Sequence, residues 1–322
     1  MSVKILLTAL SILLPLELLY FKLADRWNII DKPNARSSHS YITIRGGGIV
    51  FLIAFWAWNI QSDWPNPWSA LGLLVVGVIS IWDDIKSLPN RVRITAHISG
   101  ILLLMFDTGI MEALPIWGLM VLPIVIIGTL NAYNFMDGIN GITGLYSLVI
   151  LLSMAWINEE NHFIDSSFFV WTTASLLVFL LFNFRKRAKC FAGDVGSMGI
   201  GFIVLFALSL LILQTGELKY ILFVSLYGMD TVLTIMQRLY RKENIFKAHR
   251  LHFYQLLVNQ HGWQHRVVSV GYALVQLLMN IVIIQLLPSD WSFFTQGVVL
   301  LLPFTVLYVV FKMRLMRAYE PA

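Results

Sequence analysis

A single cysteine, Cys190, stands in 322 residues, which excludes an internal disulfide and any thiol framework. Charge is equally scarce. Asp, Glu, Lys and Arg make up 13% of the chain, roughly half of what a soluble domain carries. No repeat or low-complexity tract interrupts it, and no polar appendage is visible, so residues 1–322 read as one domain. A basic face with interleaved stacking aromatics is missing, so the net charge of +5 is no nucleic-acid footprint. The HExxH pattern of zinc peptidases is missing as well.

Apolar residues are abundant instead, at 58%, with a mean hydropathy of +0.74. Runs of membrane-spanning length recur from end to end. Eleven spans are expected, over residues 3–22, 46–61, 67–82, 94–111, 114–131, 141–157, 167–184, 196–213, 220–237, 267–287 and 293–311. A bilayer core cannot solvate peptide groups, so these are helices, and the fold class is an all-α polytopic bundle. The first run is a span rather than a cleaved leader, because its basic flank follows it and no small-x-small site is evident. Of 23 Lys and Arg, 21 fall in alternate loops and the C-terminal tail; Lys4 and Lys219 are the exceptions. The positive-inside rule makes that side cytoplasmic, with the N-terminus outside and the C-terminus inside.

The unusual polar motifs all fall on that basic side. Carboxylates beside a bilayer core are expensive, so clusters of them mark a site. Asp83 and Asp84 close the third span, with Lys86 after them; adjacent carboxylates repel, and at least one requires a cation. A carboxylate at a helix C-terminus also opposes the dipole. Asn131, Asn134 and Asp137 recur every three residues, which places them along one helix face. Gly138, Asn140 and Gly141 follow and end that helix. Capping accounts for one such residue, not three, and amide and carboxylate oxygens together suit Mg²⁺.

Gly193-Asp194-Val195-Gly196-Ser197 precedes the eighth span, and helix capping by Asp194 is a fair alternative for that residue alone. Upstream, Arg185, Lys186, Arg187 and Lys189 favour anion capture, Phe191 offers a face for a base, and Asn183 offers hydrogen bonds to one. In the first loop, Arg36, His39 and Arg45 are phosphate-type donors. Gly46-Gly47-Gly48 would let backbone approach an anion at a helix N-terminus. The longest basic-side loop holds Lys247-Ala-His249-Arg250-Leu-His252, whose donors suit oxygens that gain charge during a reaction. A second histidine pair, His261 and His265, reads as ordinary loop histidine.

In this order, DDxxK, NxxNxxDGxxG, GDxGS and a His-rich loop resemble the polyprenyl-phosphate N-acetylhexosamine-1-phosphate transferase superfamily. The resemblance covers residues 25–255, and its first cytoplasmic signature corresponds to Pro33 through Gly48. It is strongest toward bacterial enzymes that prime undecaprenyl phosphate for O-antigen or other surface glycans in lipopolysaccharide and cell-wall assembly. The peptidoglycan lipid I synthase is a further relation. Two departures stand out: Asn140 replaces an acid found in many relatives, and His249-Arg250-Leu-His252 replaces a run of three histidines in the lipid I synthase. Both point to a UDP-N-acetylhexosamine or deoxy-hexosamine donor rather than a muramoyl-pentapeptide.

The resemblance implies a Mg²⁺-dependent enzyme, with Mn²⁺ as a substitute metal, in the bacterial cytoplasmic membrane. Its donor is a UDP-sugar and its acceptor undecaprenyl phosphate; UMP is released at the cytoplasmic face of the lipid bilayer. A homodimer is compatible with this reading. Asn134 and Asp194 are then expected to hold metal, and Asp83, Asp84, Asp137, His249 and His252 to act in catalysis. Arg36, His39, Arg45, Lys86, Asn131, Asn140, Asn183, Phe191 and Arg250 are expected to bind substrate. A secondary transporter is the rival class, but its acids belong near the midplane of paired repeats, whereas these lie at span ends.

Overall fold

The computed structural model describes residues 3–33, 41–245, 247 and 249–317. Helix α1 (Val3–Arg26) leads into a small antiparallel ribbon, β1 (Ile30–Asp31) with β2 (Thr43–Ile44), in which Ile30 lies opposite Ile44. Then come α2 (Ile49–Gln61), α3 (Pro67–Ile85), α4 (Asn90–Asp107), the single turn α5 (Ile110–Ala113) and α6 (Ile116–Met136). The chain continues through α7 (Ile142–Asn161), α8 (Ser166–Asn183) and α9 (Gly193–Thr215). A tight helical stretch, Leu218–Val224, runs into α10 (Ser225–Tyr240). A loop carrying the short α11 (Phe253–Gln255) and a wider turn over Leu256–Gln260 then reaches α12 (His265–Gln285) and α13 (Phe293–Arg317).

All eleven expected spans are helical, and among the described residues nine helices are long and apolar enough to cross a membrane. The two that fall short are α2, with 13 residues, and α4, whose helix carries Arg91, Arg93 and Asp107. Most boundaries shift by a few residues from the sequence expectation, and several of the shifts bear on functional motifs. Helix α3 continues to Ile85 and so takes in Asp83 and Asp84, and α9 starts at Gly193 and so takes in Asp194. Helix α2 starts only at Ile49, because Gly46–Gly48 form the turn that meets α9. Capping across the bundle, which no local pattern encodes, accounts for the first two shifts.

Helix α9 is apolar on every side and almost wholly buried, as befits the central helix of a bundle. Helices α1 and α13 leave most of their apolar surface on the outside, where lipid is the natural solvent. Without a hydrophobic drive between helices in lipid, close packing depends on small residues and polar contacts. Gly72 on α3 and Gly100 on α4 bring the two backbones together: a Cβ on Gly100 would stand 2.6 Å from Val76 and 2.9 Å from the Gly72 carbonyl oxygen. Across α7 and α12, Gln276 donates to Asn280 (2.7 Å), which in turn donates to Ser153 (2.9 Å). The Ser69 N–H at the start of α3 donates to the Asp107 carboxylate at the end of α4 (3.0 Å).

Gly100→Leu should therefore force α3 and α4 apart and cost about 1–3 kcal/mol of stability. Gly128→Ala meets nothing within 4 Å and should be neutral or stabilising, since alanine favours helix. Thermal unfolding of the two variants in the same detergent checks the contrast.

Candidate active site

The two acids that close α3 diverge. Asp83 accepts the Leu88 N–H (2.7 Å), which fixes the turn into α4, and its other oxygen pairs with Arg93 on α4 at 3.2 Å. The Asp84 side chain is 2% exposed and pairs with Arg45 Nε at 2.7 Å. It also accepts the backbone N–H groups of Asp194 (3.0 Å) and Val195 (3.2 Å), the first turn of α9. Its own helix dipole disfavours a carboxylate there, but the free N–H groups and positive end of α9 more than offset this. Asp84, not Asp194, therefore caps α9, and it does so from another helix.

Glycines make that approach feasible. The Gly47 N–H donates to the Phe191 carbonyl (2.8 Å) and the Gly48 N–H to the Ala192 carbonyl (3.1 Å). A side chain on either Gly48 or Gly196 would run into the backbone of the other. Gly193 has a φ of +71°, and a Cβ there would crowd both Asp84 and Gly46. The first-loop glycines thus press against the GDVGS turn rather than lying open for an anion.

Asp194 is held from three sides. Its Oδ1 accepts from Asn134 Nδ2 (3.0 Å) and lies 3.5 Å from Arg45, and its Oδ2 lies 3.5 Å from Arg93. Asn134 also donates to Ser197 Oγ at 3.2 Å. Arg93 spans Asp83 and Asp194, which brings the two carboxyl groups to one guanidinium. Such a pair repels unless a proton or cation stands between its members. Among the described residues no three His, Cys, Asp or Glu side chains form a metal cage. Two carboxylates beside an amide instead suit a hard cation that takes its remaining ligands from water and substrate phosphates.

Asp137 caps the end of α6 and accepts from Thr143 Oγ1 at 2.7 Å. Burial pushes its carboxyl up to about 6; the Thr143 hydrogen bond opposes this and the Asp194 charge adds to it. The His-rich loop docks on this same turn. Tyr254 Oη donates to the Phe135 carbonyl (3.0 Å), and its ring fills the space that a side chain on Gly138 would need. His249 and His252 lie with ring centroids 4.9 Å apart. Burial, and then the charges of His252, Arg238 and Lys312, hold His249 down at about 4. It is therefore a neutral imidazole at pH 7. His252 is buried, stacks over Tyr254 and Phe135, and turns Nδ1 to Asp230 at 3.2 Å.

Several expected substrate contacts are instead engaged by the fold. Asn183 accepts the Gly141 N–H (2.6 Å) and donates to the Cys190 carbonyl (2.8 Å), so both ends of its amide serve the backbone. Asn140 is 2% exposed, and its amide N–H donates to the Arg185 carbonyl at 2.8 Å. The neighbouring Phe191 extends the ribbon, donating through its N–H to the Ile44 carbonyl at 2.8 Å. Lys86 is exposed beyond α3, Asn131 lies one turn before Asn134 on α6, and Arg250 is half-buried in the histidine loop. Arg36 and His39 fall outside the described residues. His261 contacts the Leu315 carbonyl (3.1 Å), and His265, the first residue of α12 rather than part of a loop, accepts the Asn140 N–H (3.4 Å).

Thr143 and Asp230 carry no signal in the sequence motifs, while Arg93 reads there only as a basic flank of Asp83-Asp84 and Ser197 only as the end of the GDVGS motif. Arg93 lies ten residues beyond Asp83, and only the α3–α4 turn makes them neighbours. If Asn183 is a backbone clamp, Asn183→Ala should cost about 1–3 kcal/mol by leaving buried groups unpaired. The remaining folded protein should bind nucleotide as before. Thermal unfolding with and without UMP separates this from a base-binding role, in which the loss would fall on UMP affinity.

The family model of glycosyl transferase family 4 matches residues 68–213, the stretch from α3 to α9 that supplies most of this cluster. The undecaprenyl-phosphate alpha-N-acetylglucosaminyl 1-phosphate transferase of Escherichia coli K12 is 25% identical, covering 94% of this chain and 87% of its own. A probable undecaprenyl-phosphate N-acetylglucosaminyl 1-phosphate transferase of Bacillus subtilis is 26% identical, over 81% of this chain and 78% of its own. The phospho-N-acetylmuramoyl-pentapeptide-transferase of Levilactobacillus brevis is 26% identical, over 74% and 83%. With its motifs gathered at one end of a helical bundle, the chain is similar to the polyprenyl-phosphate N-acetylhexosamine-1-phosphate transferases, and these matches support that superfamily.

Proposed function

We propose that the protein transfers N-acetylhexosamine-1-phosphate, or a deoxy derivative, from a UDP-sugar to undecaprenyl phosphate, releasing UMP. One observation carries this reading: Asp83 and Asp194 share Arg93 at the mouth of the bundle, with Asn134 and Arg45 beside them. A site that must bring two anions together needs fixed positive charge and a place for a cation. In the reaction an oxygen of the lipid phosphate attacks the sugar-bearing phosphorus of the donor. A new P–O–P link forms, the original one breaks, and the electron pair leaves with UMP.

Asp194 and Asn134, with Asp83 adjacent, are the residues that would hold Mg²⁺ or Mn²⁺. When bound, that ion would neutralise charge on the diphosphate. Arg93 and Arg45 supply a fixed positive field. Both Asp84 oxygens are engaged by α9 and Arg45, which favours a positioning role for it. Asp83 is the better placed of the two to orient the lipid phosphate. A general base is not essential, since a phosphomonoester has its second pKa near ~6 and is mostly dianionic at neutral pH. His249, His252 and Arg250 lie on the loop that docks against the Asn134–Asp137 turn and suit the donor side. The basic loops argue for a cytoplasmic active site in a bacterial inner membrane, where UDP-sugars are found, and for a role in starting a surface glycan such as O-antigen.

Metal dependence provides the first test. Purified protein given UDP-GlcNAc and undecaprenyl phosphate should release UMP with Mg²⁺ or Mn²⁺ and stop in excess EDTA. Asp194→Ala should reduce turnover to background while the protein still extracts and unfolds like wild type. Full turnover in EDTA, or a wild-type rate for Asp194→Ala, would refute the metal assignment.

The donor provides the second. A compact UDP-N-acetylhexosamine needs only a small polar pocket, and such pockets reject the wrong partner strongly because buried groups are left unpaired. UDP-GlcNAc or a UDP-linked deoxy-N-acetylhexosamine should therefore outpace UDP-MurNAc-pentapeptide at equal concentration in detergent. The opposite order would move the protein to the muramoyl-pentapeptide branch without changing the reaction class.

A further inference from the structure

Asp230 is a fully buried carboxylate in the middle of α10 that none of the sequence motifs includes. It is surrounded by donors from four segments. His252 Nδ1 lies 3.2 Å from Oδ1, and the Phe253 N–H lies 3.2 Å from both oxygens. Tyr272 on α12 donates at 2.7 Å, Tyr308 on α13 at 2.9 Å, and Thr234 one turn along α10 at 3.2 Å. Lys312 stands behind this layer, donating to Thr234 Oγ1 (2.7 Å) and Tyr308 Oη (3.0 Å). A buried carboxylate so provided accepts only.

Two features suggest more than an anchor. The contact is to the ring of a histidine in the loop motif and to the very next backbone N–H, so one carboxylate fixes both the loop path and the imidazole. The Gln255 side chain accepts the His252 N–H (3.2 Å), and the His252 side chain in turn accepts the Gln255 backbone N–H, which pins the same residue from the other side. The ring lies beside His249 and stacks with Phe135, the residue after Asn134.

We propose that Asp230 is a positioning residue for the transfer reaction, holding the His252 imidazole and the loop that carries it in place against the Asn134–Asp137 turn. The assignment rests on the transferase reading above. An acid that contacts a histidine through one ring nitrogen fixes the orientation of that ring. Residues that orient a functional ligand in this way typically cost about 10- to 100-fold when replaced.

The test is a double-mutant cycle on the full chain in detergent, with UDP-GlcNAc, undecaprenyl phosphate and Mg²⁺, reading kcat and donor KM separately. Asp230→Asn and His252→Gln should each lower kcat about 10- to 100-fold with donor KM changed less than about threefold. The double variant should be no slower than the slower single one, because Asp230 acts through the ring that His252→Gln removes. Should Asp230→Asn not survive extraction, Asp230→Glu enters the same cycle with the same expectation, since its carboxylate is displaced by one methylene. A wild-type kcat for the Asp230 variant, or losses that multiply in the double variant, would overturn the assignment while leaving the transferase reading intact. No UMP release by wild-type protein from any UDP-N-acetylhexosamine would defeat the transferase reading, and this inference with it.

Discussion

The Asp84 carboxylate on the first turn of α9 is the contact on which the site depends. One side chain satisfies two otherwise free N–H groups of a buried helix and the guanidinium of Arg45. It thereby joins α3, the first loop and α9 at a single point. Because α9 is the central helix, fixing its N-terminus fixes Asp194, and Asn134 and Arg93 then reach Asp194 from α6 and α4. Without this junction the end of α9 would leave unpaired N–H groups beside a low-dielectric core, at a cost of several kcal/mol each in the limit of no other partner.

The same contact explains why two adjacent acids are tolerated at a helix C-terminus. They do not share a surrounding: Asp84 turns inward to a helix dipole, while Asp83 turns toward Arg93 and the mouth of the bundle. Division of labour between neighbouring carboxylates follows from these partners. The inward acid is committed to structure and the outward one is left in reach of Asp194, where a cation would relieve the repulsion between them.

The histidine loop is attached on different terms. It has no place in the α3–α9 segment, and two buried groups tie it down instead: Tyr254, seated over Gly138, and Asp230, which grips His252 and Phe253. Helices α10, α12 and α13 meet at Asp230 through Thr234, Tyr272 and Tyr308. The C-terminal helices therefore serve the site at a distance, by supporting the carboxylate that supports the loop.

Length and apolarity alone determined that the chain is a helical membrane protein, because continuous apolar runs of this length satisfy their own peptide groups in a bilayer core as helices. All eleven expected spans are helical, although α2 and α4 fall short of spanning on their own. The acidic motifs were equally legible, since Asp83, Asp84, Asn134, Asp137 and Asp194 are costly in such surroundings unless they have a use. Tertiary structure decided how those residues divide their work. Asn183 and Asn140 have the composition of a binding site, yet the folded chain commits both ends of the Asn183 amide and the N–H of the Asn140 amide to backbone groups that only its own turns bring near. Arg93 and Asp230 have the composition of a flank and of a span interior. They become part of the site because helix packing places a guanidinium between two acids and a carboxylate beneath a histidine, and charges that meet only across helices leave no local pattern in sequence.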